Sequence, residues 1–240
     1  MANENQQPFA ALHPVNPSWE IAKSLPPFLP PSLRPATDNS YITEHPPVRI
    51  LVHPEQVEVA YKTVRQLVPK LWEGRKVDYM VHIGMATGRR FYSVERRGHR
   101  DGYKMKDVNG QFLEELDRQE KHWTWAGMPD ELQSSCDIDD TWRRWRVALP
   151  DTDVRISEDA GRYLCDFIYF SSLAHLEKHG EERRVVFFHV PVDVDEKSIQ
   201  TGIDTVIELI RAMVQSGRMK SLVEKAAKSE RETVVDEAIK

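Results

Sequence analysis

Cysteine is scarce in this chain of 240 residues: there are two, Cys136 and Cys165. That is too few for a disulfide scaffold and fits a reducing compartment, where a thiol stays free to react. No apolar run approaches the roughly 20 residues that a membrane span needs, and the first residues lack the basic and apolar regions of a secretion signal. A soluble, cytoplasmic protein is therefore expected. Charge of one sign is also lacking. With 33 basic and 38 acidic residues the net charge is −5, and the basic residues are scattered, so the chain carries no electrostatic footprint for nucleic acid. Arg96-Arg97, Arg143-Arg144 and Arg183-Arg184 read as solvated surface pairs. There is no Cys-x-x-Cys, no His-Glu-x-x-His and no other metal-ligand spacing. The glycines between Gly84 and Gly88 match neither a P-loop nor a dinucleotide fingerprint. Ser171-Ser172 and Ser134-Ser135 lack the glycine-flanked elbow of a serine hydrolase. No metal, nucleotide or other cofactor is expected.

Proline is abundant but confined. Ten of the 15 prolines fall within 1–47, so that stretch is expected to be an extended arm. Asn16-Pro17-Ser18-Trp19-Glu20 is a helix start inside it, with Asn16 as cap and Pro17 at the first helical position. The segment 48–218 then alternates strand-like and helix-like patterns. Strands are expected at 48–52, 77–83, 154–157 and 184–190, with helices at 57–72, 160–178 and 198–215. Between 84 and 150 the pattern is a long excursion with one helix at 112–123, and its tryptophans read as packing residues. The charged stretch 219–240 is a solvated helix or a tail. Alternating strands and helices predict an α/β fold in three αβα layers, with a twisted, mainly parallel central sheet covered on both faces. Sites on such sheets lie where strands end and helices begin.

Three residues stand at such places. Cys165 lies near the start of a helix that follows a strand, where the helix dipole and free N–H groups favour a thiolate, although a buried structural cysteine is the plainer reading of the local sequence. His189 ends the strand 184–190, and its near-neutral pKa suits a proton-transferring base; a hydrogen-bonded structural histidine is the alternative. Glu95, between apolar and basic neighbours, can orient an imidazole or simply pair with an adjacent arginine.

Five ordered blocks bring these residues together. They are Asn16-Pro17-Ser18-Trp19-Glu20, Val81-His82-Ile83-Gly84, the Glu95 segment with Gly98-His99 and Gly102-Tyr103-Lys104, the run from Asp159 through Cys165 to Phe167, and His189-Val190-Pro191. In this order they resemble the pyroglutamyl peptidase I family, from about Pro14 to Gln215. The resemblance implies a cofactor-free cysteine peptidase, monomeric or homo-oligomeric, that cleaves the amide after an N-terminal 5-oxoproline through an acyl-enzyme. It places the Glu-Cys-His triad on Glu95, Cys165 and His189, and the lactam pocket against Phe9, Met85 and Leu164. It also implies a hydrophobic first strand leading into a glycine-phenylalanine turn. Here the chain departs: Met1 to Pro8 is polar, and Gln6 stands where the first of two phenylalanines would fall, Phe9 matching the second. A homologue that binds pyroglutamyl peptides or a partner without turnover, and a different thiol amidase on the same scaffold, are the alternatives.

Overall fold

The structure is a computed structural model that describes residues 15–31, 47–74, 76–120 and 125–238. Phe9 and Gln6 lie outside the described residues. The central sheet contains β1 (Met80–Met85), β2 (Tyr92–Glu95), β5 (Val154–Ser157) and β6 (Val185–Val190), in the order β1-β6-β2-β5. β1 pairs with β6 and β2 with β5 in parallel, while β2 runs antiparallel to β6. The sheet is thus mixed but mostly parallel.

Side-chain alternation along β6 creates the two outer layers. Val185 and Phe187 point into a cluster built from α2 (Tyr61–Lys70) and α5 (Leu164–Lys178), whose core includes Tyr61, Val64, Phe167 and Phe170. Val186, Phe188 and Val190 point the other way, onto Ile21 of α1 (Pro17–Lys23), Trp145 of α4 (Ile138–Ala148) and Val206, Leu209 and Met213 of α6 (Glu196–Ala238). α1 begins as its sequence predicts, with Asn16 accepting from the Ser18 N–H at 3.0 Å and Pro17 in the first turn. The remaining elements are β3 (Arg97–His99) and β4 (Glu131–Gln133), which form a two-stranded antiparallel sheet against α5, and α3 (Leu113–Glu120).

Several expectations need correction. Residues 48–52 do not join the sheet. Their backbone instead meets the stretch 27–29, with the Ile50 N–H donating to Pro27 C=O and the Leu29 N–H to Val48 C=O, both at 2.9 Å. Pro47 and Pro54 deny this segment donors at both ends. α2 starts at Tyr61 rather than at 57, because the Asp107 carboxylate accepts the Tyr61 N–H at 3.1 Å and sets the first turn. The excursion 84–150 holds three unforeseen strands, β2, β3 and β4, and the unforeseen helix α4. Its Trp125 and Trp145 are buried packing residues, as expected. α6 does not stop at 215 but runs on to Ala238, with 220–226 exposed. Among the described residues no helix is long and apolar enough to cross a membrane.

Candidate active site

The alternation that builds the layers also decides where the polar residues go. On β6, His189 shares the face of Phe187, with ring centroids 4.7 Å apart, and therefore faces α5. On β2, Val94 packs into the opposite cluster, so Ser93 and Glu95 also face α5. The Ser93↔His189 register of the antiparallel pair sets the two chains side by side. The His189 imidazole Nδ1 then donates to Glu95 Oε1 at 2.7 Å, both side chains being buried. Arg89 Nη1 reaches the same oxygen at 2.7 Å, and donates to Ser93 Oγ at 2.8 Å. Imidazole and arginine thus hold Glu95 together, but the arginine is Arg89 and not the adjacent Arg96, which pairs with Asp139 and Glu158. Burial pushes the Glu95 carboxyl up, but His189, through its hydrogen bond and charge, with Ser157 and Arg89, outweighs it and leaves the carboxyl below its ordinary value.

Cys165 is the second residue of α5. The preceding loop turns at Gly161, whose φ of +88° lies in the left-handed region that favours glycine. Asp159 ties the loop down: its carboxylate accepts the Gly161 N–H at 2.9 Å, and its carbonyl accepts Arg89 Nη2 at 2.9 Å. Tyr163 caps the helix without a side-chain acceptor, so the N–H groups of Leu164 and Cys165 are left for a ligand.

The thiol sits over the β1–β6 pairing. Gly84 is in register with His189, and a Cβ on Gly84 would come within 3.0 Å of Cys165 Sγ and 2.6 Å of Phe187 Cζ. Only glycine lets the strand pass beneath the sulfur.

The surroundings of the thiol run against the thiolate that the helix start favours. Burial pushes the Cys165 thiol up to about 12, with the Glu95 and Asp166 carboxylates adding to it and Arg89 opposing.

Cys165, His189, Met85 and Leu164 line one cavity of about 2,020 Å³, together with Gly84, Arg89 and Ala160. Of the residues expected at the site, Glu95 lies behind His189, and Phe9 is outside the described residues. Arg89 was not singled out from the sequence; nothing in the local pattern ties a loop arginine to a carboxylate six residues later. Asp166 was also missed as a positioning group. Fully buried, it accepts the His99 N–H at 3.2 Å and the Tyr103 hydroxyl at 3.0 Å, anchoring the first turn of α5 to β3. Gly98 permits this approach, since a Cβ there would lie 3.0 Å from the Phe170 backbone. Among the described residues no group of three His, Cys, Asp or Glu side chains is arranged to hold a metal ion.

Several known proteins are similar to this chain. Residues 146–219, which include Cys165 and His189 but not Glu95, match the family model described as pyroglutamyl peptidase. Human pyroglutamyl-peptidase 1 is 36% identical over 140 residues, which cover 58% of this chain and 62% of that protein. The chain thus spans less than two thirds of that relative's length. The pyrrolidone-carboxylate peptidase of Bacillus subtilis is 22% identical over 204 residues, 82% of each chain. In fold, a mutant pyrrolidone carboxyl peptidase from the hyperthermophile Pyrococcus furiosus superposes with a TM-score of 0.63 at 21% identity, over 85% of this chain and 92% of that one. The three-layer α/β fold expected from the sequence is the fold found, and in sequence the chain is similar to pyroglutamyl peptidases over 146–219 and over the 140 residues it shares with the human protein.

Proposed function

We propose that this protein is a cysteine peptidase that hydrolyses the amide bond after an N-terminal pyroglutamyl residue, with Cys165 as nucleophile, His189 as general base and acid, and Glu95 as the group that orients His189. The observation that carries the reading is the 2.7 Å bond from His189 Nδ1 to Glu95, which assigns the Nδ1 proton and leaves Nε2 as the ring's acceptor beside the cavity that Cys165 lines.

The steps follow from these positions. Cys165 rests as a neutral thiol, so its proton passes to His189 Nε2 as sulfur attacks the 5-oxoproline carbonyl, and Glu95 stabilises the imidazolium formed. The N–H groups opening α5 are the donors available to the tetrahedral oxyanion. Its collapse breaks the C–N bond, and the imidazolium gives its proton to the departing amine. Water, deprotonated by His189, then attacks the thioester, releases 5-oxoproline and restores the thiol. No step calls for a metal or an organic cofactor. Leu164, buried next to Cys165 in the chain, is the wall proposed for the lactam ring, whereas Met85 lines the same cavity but packs with Phe188 and Val190 on the opposite face of the sheet.

The test is release of the fluorophore from a pyroglutamyl-coumarin amide. Cys165→Ser should abolish it and Cys136→Ser should leave it intact; turnover undiminished by Cys165→Ser refutes the assignment. Intact thiol reactivity with no turnover would instead favour a homologue that binds without cleaving.

A further inference from the structure

The two oxygens of the Glu95 carboxylate are held unequally. Oε1 accepts from His189 Nδ1 at 2.7 Å, from Arg89 Nη1 at 2.7 Å and from the Ser93 hydroxyl at 3.3 Å. A carboxylate oxygen has about two lone-pair sites, so this one is fully taken. Oε2 accepts from no group among the described residues, although it is as buried as the rest of the side chain. A charged acceptor left buried without a donor costs more than the bond it lacks would contribute. The carboxylate is therefore anchored at one oxygen only, and it can swing about that anchor while His189 changes charge.

One hydroxyl stands beside it. Glu95 of β2 is in register with Ser157 of the parallel neighbour β5, and in-register residues of adjacent strands lie about 4.8 Å apart. Val154 and Ile156 of β5 pack into the cluster on the far side of the sheet, so alternation turns Ser157 to the α5 side with Glu95. Burial pushes the Glu95 carboxyl up, and the Ser157 hydroxyl is among the groups that oppose it. That hydroxyl is weakly engaged. It donates to the Asp159 C=O at 3.3 Å and accepts the Asp159 N–H at 3.4 Å, both long for hydrogen bonds. The same carbonyl accepts Arg89 Nη2 at 2.9 Å, so it keeps a donor when Ser157 turns away. The other nearby hydroxyls are committed: Ser93 donates to Oε1 at 3.3 Å, and Tyr169 to the Glu95 C=O at 3.1 Å.

We propose that Ser157 is a positioning residue for the reaction, whose hydroxyl turns from Asp159 to donate to Glu95 Oε2 and fixes the carboxylate against His189 as the imidazolium forms. The inference rests on the peptidase reading and extends its orienting group from one residue to a pair on neighbouring strands. A hydrogen bond to an ionised acceptor is roughly twice as strong as one to a carbonyl, so the exchange is favourable once Glu95 has to balance the imidazolium. With Oε1 held by imidazole and guanidinium and Oε2 by Ser157, the carboxylate plane is fixed at both ends. Ser157 is not among the residues that line the cavity of Cys165, so it acts through Glu95.

The test uses the full chain carrying Ser157→Ala, Ser157→Thr, or Ser157→Ala combined with Glu95→Gln. On the pyroglutamyl-coumarin amide, Ser157→Ala should lower kcat about tenfold, the contribution of one hydrogen bond to a charged group, with KM within about twofold. Ser157→Thr keeps the hydroxyl and should stay within about threefold of the parent. In the Glu95→Gln background the charge that the hydroxyl serves is gone, so Ser157→Ala should there cost less than about twofold. Denaturant titrations add a readout that needs no turnover. Ser157→Ala loses a donor that holds the folded Glu95 carboxyl below 4.5, so its acid-side loss of stability should set in at higher pH than in the parent. A kcat for Ser157→Ala within about twofold of the parent, or a loss of about tenfold that persists in the Glu95→Gln background, overturns the proposal and leaves the peptidase reading standing. A parent chain without turnover, whose acid-side profile still shifts in Ser157→Ala, would sink the peptidase reading and leave the bond from Ser157 to Glu95 in place.

Discussion

Replacing Glu95 by Gln removes one charge from a fully buried position and keeps its shape. The Nδ1 to Oε1 distance of 2.7 Å corresponds to about 6 kcal/mol of attraction between the carboxylate and an imidazolium at an effective dielectric of about 20. The Arg89 guanidinium, equally close to that oxygen, already cancels part of this field, which leaves about 4 kcal/mol to be lost when His189 becomes charged. At 1.36 kcal/mol per decade, kcat on the pyroglutamyl-coumarin amide should fall about 10³-fold. The amide can still accept from Nδ1, so KM should change little. Stability supplies a second readout. Because the folded Glu95 carboxyl lies below its ordinary 4.5, its contribution is fully present above pH 4.5 and is lost as pH falls through the folded value. Denaturant titrations from pH 6 to pH 3 should show this acid-side loss in the parent, and less of it in Glu95→Gln. A kcat within tenfold of the parent, in a variant shown to be folded, would refute the orienting role.

Asp166 titrates in the opposite sense. Burial raises its carboxyl to about 6 from 3.8, so the stability tied to its protonated form is present below pH 3.8 and is lost as pH rises through about 6, by up to about 3 kcal/mol; Asp166→Asn should flatten that part of the profile in denaturant titrations. The raised Cys165 thiol predicts alkylation by iodoacetamide that is slow at pH 7 and still accelerating at pH 9, whereas a plateau near pH 7 would reveal a stable thiolate. Gly84→Ala would press a methyl against Phe187 and the sulfur of Cys165, costing about 1–3 kcal/mol in thermal or denaturant unfolding and most of the turnover. Arg89→Ala severs the tie between Glu95 and the Asp159 carbonyl, and should lower kcat in the coumarin assay more than Arg89→Lys does.

What could be read from the sequence divides along the range of the interactions involved. The strands β1 and β6 announce themselves as apolar runs, and α5 and α6 as long helices, because local pattern dictates them. The three strands β2 to β4 escaped because their residues, Tyr92 to Glu95 among them, alternate with polar groups whose partners are distant in the chain: Glu95 meets His189, and His99 meets Asp166. Cys165 shows the same limit in electrostatics. A helix start is visible locally, but the carboxylates and the burial that raise its pKa arrive from β2 and the tertiary fold. The segment 48–52 is the most instructive miss, since its β-branched residues do adopt extended backbone yet find only the stretch 27–29 to bond with. A strand is completed by a neighbour, and among the described residues this segment has none in the four-stranded sheet.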